Sequence, residues 1–342
     1  MVVVFSMPVT RFNSFGLTML KVVRAQGQGL VSDSGRWGHQ HEGVPVGGVL
    51  DHFSFEVGNL ALGNPADSAC LELMGQFDFV CAKPCRIFMA NRGAQALLNN
   101  KPVRCGQVFA LQEGDVLRTQ PPGLGFWNLI FLQGGVDVPM VMGSRSTCLV
   151  AGFGGFQGRA LQVGDEIHTG PVYTVAVSDR LRIALPLAPI NSAGRLMVNC
   201  LPGPEYAWLT DESRQVFASQ NYHLGNQSSR MAYRLEGEQA PLALKQALTL
   251  RSHAVHPGVV QLPPSGQPVV LLSECQVTGG YPRIAAVLNC ELWKFAYLSS
   301  GQGVHWVMVD AAQAKRLQLR HDKELRRYHH VIESSDHQSH VD

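Results

Sequence analysis

The sequence predicts a mainly β protein folded as two lobes, and three observations carry that expectation. Short runs rich in β-branched and aromatic residues recur along the chain, each closed by Gly or Asn turn residues. Gly, at 35 residues, and Pro, at 19, are abundant without a three-residue period, as a chain of many tight turns requires. Helical periodicity is confined to a few segments that do not alternate regularly with strands, which disfavours a doubly wound parallel sheet.

Taken in order, residues 1–18 open with a short apolar run, MVVVFSMP, that lacks a basic flank and is followed by Arg11 and Asn13. Neither a secretion signal nor a membrane span is read from it, so a cytoplasmic location is expected. Residues 1–18 are expected to be an extension or a mis-called start, with the folded unit beginning at Met19. Strands are predicted over 19–24, 76–82, 85–90, 108–111, 116–119 and 126–132, then over 173–177, 196–201, 259–262, 269–272 and 304–309. Helices are predicted over 54–62, over 66–74 behind Asn64-Pro65, over 211–218 behind a Thr210 cap, and over 291–298. The stretch PLAPINSAG, 186–194, is rich in Pro and small residues and reads as a linker between a first lobe, 19–185, and a second, 195–310. Residues 311–342 read as a helix with a frayed polar tail. That tail holds His321, His329, His330, His337 and His340 among the 13 histidines, and is given no catalytic role.

Composition bounds the function. A length of 342 residues suffices for two domains, and 45% hydrophobic against 16% charged residues requires a large buried core and excludes wholesale disorder. Lys plus Arg at 28 against Asp plus Glu at 26 leaves a net charge of +2, too balanced for affinity built on phosphates or anionic lipid. No nucleic-acid or membrane partner is expected. The eight cysteines lie scattered without any Cys-x-x-Cys pair, so buried free thiols are expected and no metal site is assigned.

Four polar, glycine-bearing runs stand out. The first, SDSGRWGHQHEGVPVGGVLD over 32–51, gathers Asp33, Arg36, His39, His41, Glu42 and Asp51. An arginine fork there suits a carboxylate or phosphate, and Asp51 could move a proton. A turn knot, with Asp33 and Asp51 capping local amides and Arg36 paired to one of them, explains the same residues equally well. The second, GSRSTCLVAGFGGFQG over 143–158, sets Arg145 among Ser144, Ser146 and Thr147, a combination that favours an oxyanion. Its glycines fit neither a P-loop nor a G-x-G-x-x-G pattern. The third, SSRMAYRLEG over 228–237, holds Arg230 and Tyr233, and Arg230 needs a partner if it is buried. The fourth, CQVTGGYP over 275–282, holds Gln276, Thr278, Gly280 and Tyr281. No nucleophile elbow, zinc helix or kinase signature is present.

These four runs, with NLALGN at 59–64 and LPGPE at 201–205, resemble the biotin-dependent carboxyltransferase and allophanate hydrolase subunit 2 family over about 19–310. The stand-alone members closest in pattern are the C-type subunits of 5-oxoprolinase. The resemblance implies two cyclophilin-like β-barrel lobes whose loops meet at a shared cleft. It implies an ATP-dependent lactam hydrolase that opens 5-oxoproline to glutamate with subunits of the B and A type, ATP and Mg being shared with the complex. Within that scheme Arg36, Arg145 and Arg230 are expected to anchor substrate carboxylate or phosphoryl oxygens. Ser146, Thr147, Tyr233, Gln276, Thr278, Gly280 and Tyr281 are expected to line the cleft, with Asp51 and then His41 moving protons. The chain departs from the family pattern at Gly47, Ser229, Ala232 and Glu274. Loss of an Asp at 229 is expected to leave the Arg230 guanidinium less tightly held. Two alternatives stay open: a biotin-dependent carboxyltransferase acting on urea or a similar amide, which needs a separate biotin carrier, and a binding subunit without chemistry of its own.

Overall fold

The computed structural model describes residues 19–338 apart from 91–95, 120–126, 173–180, 247–249 and 299–301. The strand expected over 173–177, the extension 1–18 and His340 lie outside the described residues. The first lobe runs β1 (Met19–Ser32), α1 (His52–Ala61), β2 (Cys70–Cys81), β3 (Cys85–Ala90), β4 (Ala96–Leu98), β5 (Lys101–Val103), β6 (Val108–Leu111), β7 (Val116–Thr119), β8 (Asn128–Leu132) and β9 (Glu166–His168). The second runs β10 (Leu196–Pro202), α2 (Asp211–Ser219), β11 (Tyr222–Leu224), β12 (Ala232–Gly237), β13 (His253–Ala254), β14 (Val259–Gln261), β15 (Val269–Leu271), β16 (Thr278–Gly279), β17 (Arg283–Val287) and β18 (Gly303–Met308). A long helix, α3 (Ala311–Gln338), follows.

The two lobes are both curled β structures, as the sequence predicts. The first is a nine-stranded sheet ordered β5-β4-β7-β2-β8-β3-β6, with β1 pairing β2 and β9. The second closes as a barrel, β10-β17-β14-β15-β12-β11-β18, in which β10 and β18 pair in parallel and bring the two ends of the lobe together. Backbone bonding stays with the first lobe as far as Ile183, whose N–H meets the Gly106 carbonyl at 2.6 Å. It has passed to the second by Pro189, whose carbonyl accepts from Met197 N at 3.0 Å.

Local chemistry explains most of the elements. Asp51 caps α1 by accepting from Ser54 N at 2.9 Å, and Thr210 caps α2 by accepting from Ser213 N at 3.1 Å. The segment expected to be a helix over 66–74 is a turn followed by β2. Asn59 holds that turn by donating to Ser68 O at 2.9 Å, and Leu71 and Leu73 then sit between β1 and β8, buried on both sides. A short apolar run satisfies either period, and here the two flanking strands decide. The expected helix over 291–298 is a 3₁₀ segment, Asn289–Tyr297.

One apolar core runs through both lobes. Phe53, Phe55, Phe88 and Phe131 of the first are continuous with Val260, Trp293, Phe295 and Trp306 of the second, so apolar packing fixes the lobes against each other. The cysteines are free thiols, most of them buried, and burial raises Cys105 and Cys290 to about 11 and Cys200 and Cys275 to about 12, which leaves these four inert as nucleophiles. No helix among the described residues is long and apolar enough to cross a membrane.

Candidate active site

The first two polar runs tie into one knot around Asp33. Its Oδ1 accepts from Gly35 N at 2.9 Å, Ser144 Oγ at 2.7 Å and Ser146 Oγ at 2.5 Å, and its Oδ2 accepts from Arg145 N at 2.5 Å. These donors replace water around a carboxylate that is almost fully buried. Arg36, wholly buried, donates from Nε to Val141 O at 2.9 Å and from Nη2 to Ser146 O at 3.0 Å, and lies 4.7 Å over the Phe153 ring. Thr147 Oγ1 donates to Val31 O at 3.0 Å, which fastens the loop to β1. Gly154 and Gly155 have φ of 70° and 50°, and a Cβ would fall 2.3 Å from Ser146 O at the first and 1.9 Å from Thr147 Oγ1 at the second. These glycines exist for packing, and the space beside them is already filled.

The third run meets the first at the junction of the lobes. Arg230 is buried between Glu72 of β2, 2.7 Å from its Nη1, and Glu274, 2.8 Å from its Nε. Its Nη2 donates to the Gly48 carbonyl and to Ser273 Oγ at 3.2 Å, and the guanidinium lies 5.0 Å over Trp127. Burial works to lower the Arg230 pKa, and the two carboxylates more than offset it, so the net shift is upward. Glu72 also accepts from Leu50 N at 2.9 Å, and Gly47 N donates to Ser273 O at 2.8 Å. Asp51, besides capping α1, accepts from the Tyr297 hydroxyl of the second lobe. The expectation that Ser229 leaves Arg230 loosely held is corrected: Ser229 Oγ serves a local turn to Met231 N at 3.2 Å, and the carboxylates that hold the guanidinium are Glu72 and Glu274.

An open cleft of about 500 Å³ lies beside this junction, walled by Trp37, Gly47 and His52 from the first lobe, His256 and Ser273 from the second, and His321 from α3. A second interlobe cavity, about 410 Å³, lies on another side of the Arg230 cluster and is lined by Met74, Trp127, Arg230 and Tyr233. The expected convergence of three arginines on one pocket is not what the fold produces. Arg36 lines none of the cavities described here, Arg230 borders the 410 Å³ cavity, and Arg145 borders a separate 250 Å³ pocket with Asp67 and Asp137. Ser146 and Thr147 are held inside the loop knot. Of the fourth run, Gln276 reaches Gln261 at 3.5 Å, Thr278 is exposed on β16, and Gly280 and Tyr281 line a groove of about 530 Å³ elsewhere on the second lobe. His41 stands 75% exposed on a 3₁₀ turn beside Glu42.

Sequence reasoning missed His52, His256 and His321 as cleft residues. They come from three elements, and no local spacing links them. His52 is exposed in the cleft, and His321 is half-buried. Desolvation lowers the His321 pKa, which keeps that ring neutral near pH 7.

Residues 42–308 match the family model for the carboxyltransferase domain, subdomain A and B. The chain belongs to that family. This carboxyltransferase-domain protein is 34% identical over 313 residues to the C-type subunit of the Escherichia coli 5-oxoprolinase, covering 90% of this chain and 97% of the other. It is 29% identical over 319 residues to the C-type subunit of the Haemophilus influenzae 5-oxoprolinase, covering 93% and 100%. The crystal structure of the Kluyveromyces lactis urea carboxylase superposes with a TM-score of 0.82 at 22% identity over 92% of this chain, a likeness of fold; the chain spans 29% of that protein.

Proposed function

We propose that this chain is the C-type subunit of a 5-oxoprolinase, acting with subunits of the A and B type to open 5-oxoproline to glutamate with hydrolysis of ATP in a cytoplasmic complex. The observation that carries this reading is end-to-end correspondence: the chain covers 97% and 100% of two proteins named as this subunit of 5-oxoprolinase, whereas it covers only 29% of the urea carboxylase it superposes on. In the reaction the ring C–N bond breaks, water supplies the new carboxylate oxygen, and the ring nitrogen leaves as an amine. The amide is resonance-stabilised, so ATP activates its carbon when bound.

Gly154, Gly155 and Gly158 of the second run do not furnish a phosphate cradle, because protein atoms occupy the space beside them. We therefore place the phosphoryl donor on one of the partner subunits. The interlobe cleft is the proposed lactam site, with Trp37 offering a flat apolar face and the imidazoles offering ring nitrogens for hydrogen bonds. Arg36, Arg230 and Asp51 act by positioning. The Arg145 guanidinium makes no hydrogen bond or ion pair among the described residues; it borders the separate 250 Å³ pocket and is proposed as an anion contact there, apart from the lactam site.

The test is reconstitution with the partner subunits. ATP-dependent glutamate release from 5-oxoproline, absent when this chain is omitted, is expected. Biotin-dependent carboxylation of urea in place of that release would overturn the reading, and so would full activity without this chain.

A further inference from the structure

We propose that α3, which lies outside the matched carboxyltransferase domain, completes the ligand site of the interlobe cleft, with His321 and Gln318 hydrogen-bonding a small cyclic amide that carries a carboxylate. The inference rests on the 5-oxoprolinase reading for the identity of that ligand and on geometry for its place.

The family match ends at residue 308, where β18 ends, and α3 starts at Ala311. The helix does not project into solvent. It packs back across the junction: Tyr328 Oη donates to Ala184 O at 2.5 Å, His329 Nε2 meets Glu56 Oε1 at 3.0 Å, and Ile332 is buried. Phe53 of α1 receives the edges or faces of both His321, at 5.4 Å, and Tyr328, at 5.5 Å. That contact sets the His321 ring against the cleft wall.

The chemistry of the cleft narrows the ligand. Among the described residues, no Asp, Glu, Lys or Arg lines it. Both ring nitrogens of His52 and of His321 are free of protein hydrogen bonds among the described residues, and His256 uses only Nδ1, toward Pro257 O at 2.8 Å. Gln318 gives its amide N–H to Asp322 at 2.8 Å, which leaves its carbonyl oxygen for another donor. Among the described residues the three imidazoles do not belong to any group of three or more His, Cys, Asp or Glu placed to hold a metal ion. They suit a ligand several ångströms across with both a donor and acceptors at its edge and an apolar face for Trp37. A five-membered lactam with a carboxylate has one N–H, a carbonyl and an anionic group on a nearly planar ring, and it fits readily inside about 500 Å³.

The experiment is 5-oxoproline saturation of the reconstituted complex with His321→Ala, His321→Gln and Gln318→Ala, the exposed Leu319→Ala serving as control. His321→Ala should raise KM roughly fivefold to tenfold with kcat within about twofold, as loss of one ligand hydrogen bond does. His321→Gln should recover most of the loss, Gln318→Ala should raise KM without moving Tm, and Leu319→Ala should change nothing. An active complex whose KM is unmoved by both His321→Ala and Gln318→Ala overturns the inference while leaving the 5-oxoprolinase reading intact. A complex that releases no glutamate from 5-oxoproline refutes that reading instead. The inference is then judged by saturation-transfer NMR of 5-oxoproline with the full chain: transfer to wild type that is lost in His321→Ala supports it, and no transfer to wild type overturns it.

Discussion

Replacing Arg230 by Met should destabilise the protein by about 4–6 kcal/mol, and the structure says where that comes from. The guanidinium is 3% exposed and stands between Glu72, 0% exposed, and Glu274, 6% exposed. Its removal leaves two buried carboxylates without a cation, and breaking a buried pair from one side costs about 3–5 kcal/mol. The Gly48 carbonyl and Ser273 hydroxyl also lose their donor, adding about 1 kcal/mol. Against a total stability of about 5–15 kcal/mol this is a large fraction. Lys should rescue little, because one ammonium cannot reach Glu72, Glu274 and Gly48 in three directions as a planar fork does. Urea unfolding followed by tryptophan fluorescence is a suitable assay, since Trp127 lies against the substituted group. The pH dependence has a definite sign. In the variant one buried carboxylate gains by taking up a proton in the folded state, so the variant's stability rises relative to wild type as pH falls from 7 toward 5. A deficit under about 1 kcal/mol, or one that widens on acidification, would refute the account of Arg230 as the cation that neutralises the junction.

Four further outcomes follow from the same structure. Hydrogen bonds from Arg283, 2.9 and 2.8 Å long, hold Glu205 below the usual carboxylate range, so Glu205→Gln should cost about 1.5–3 kcal/mol at pH 7, and the difference should vanish as pH falls through that lowered value. Burial lowers the half-buried His321, so the unfolded chain binds more protons around pH 6.5; stability should fall from pH 7.5 toward 5.5 and level off below the lowered value, with a shallower slope in His321→Gln on thermal melts. Gly155→Ala, whose Cβ would sit 1.9 Å from Thr147 Oγ1, should cost more than about 3 kcal/mol by urea unfolding, whereas Gly152→Ala, at φ 68° with open space, should cost about 1 kcal/mol. Arg145→Ala should leave Tm within about 1 °C while lowering glutamate release by the reconstituted complex; unchanged release would remove Arg145 from the anion contacts.

What the sequence makes legible is what depends on neighbours in the chain. The strands at Cys85–Ala90, Val108–Leu111 and Val116–Thr119, the capped α1 and α2, and the helical 311–338 segment all follow from local period and cap residues. The segment 66–74 fails because β1 and β8, far away in sequence, decide between two periods it satisfies equally. The resemblance identifies the family and its two-lobed form, yet it does not assign work to each polar residue. A run dense in glycine, arginine and hydroxyls reads alike as a ligand loop and as a turn knot, and the difference is whether the space beside it is empty. At Gly154 and Gly155 that space holds Ser146, Thr147 and the Arg36 guanidinium, so the run is a knot.

The three arginines show why such a decision needs the folded structure. A buried guanidinium must have acceptors, which is legible, but the acceptors of Arg36 lie 105 and 110 residues away and the Gly48 carbonyl that serves Arg230 lies 182 residues away. Where protein groups bury and hold the cation, as they hold Arg36 through Nε and Nη2 and Arg230 between two carboxylates, it fixes loops and lobes. Where they do not, as at Arg145 and at the open ring nitrogens of His52 and His321, the polar group stays available to something that is not protein. That distinction, and not the density of polar residues along the chain, is what moves the candidate site from the arginine-bearing runs to a cleft whose histidines come from α1, the loop before β14, and α3.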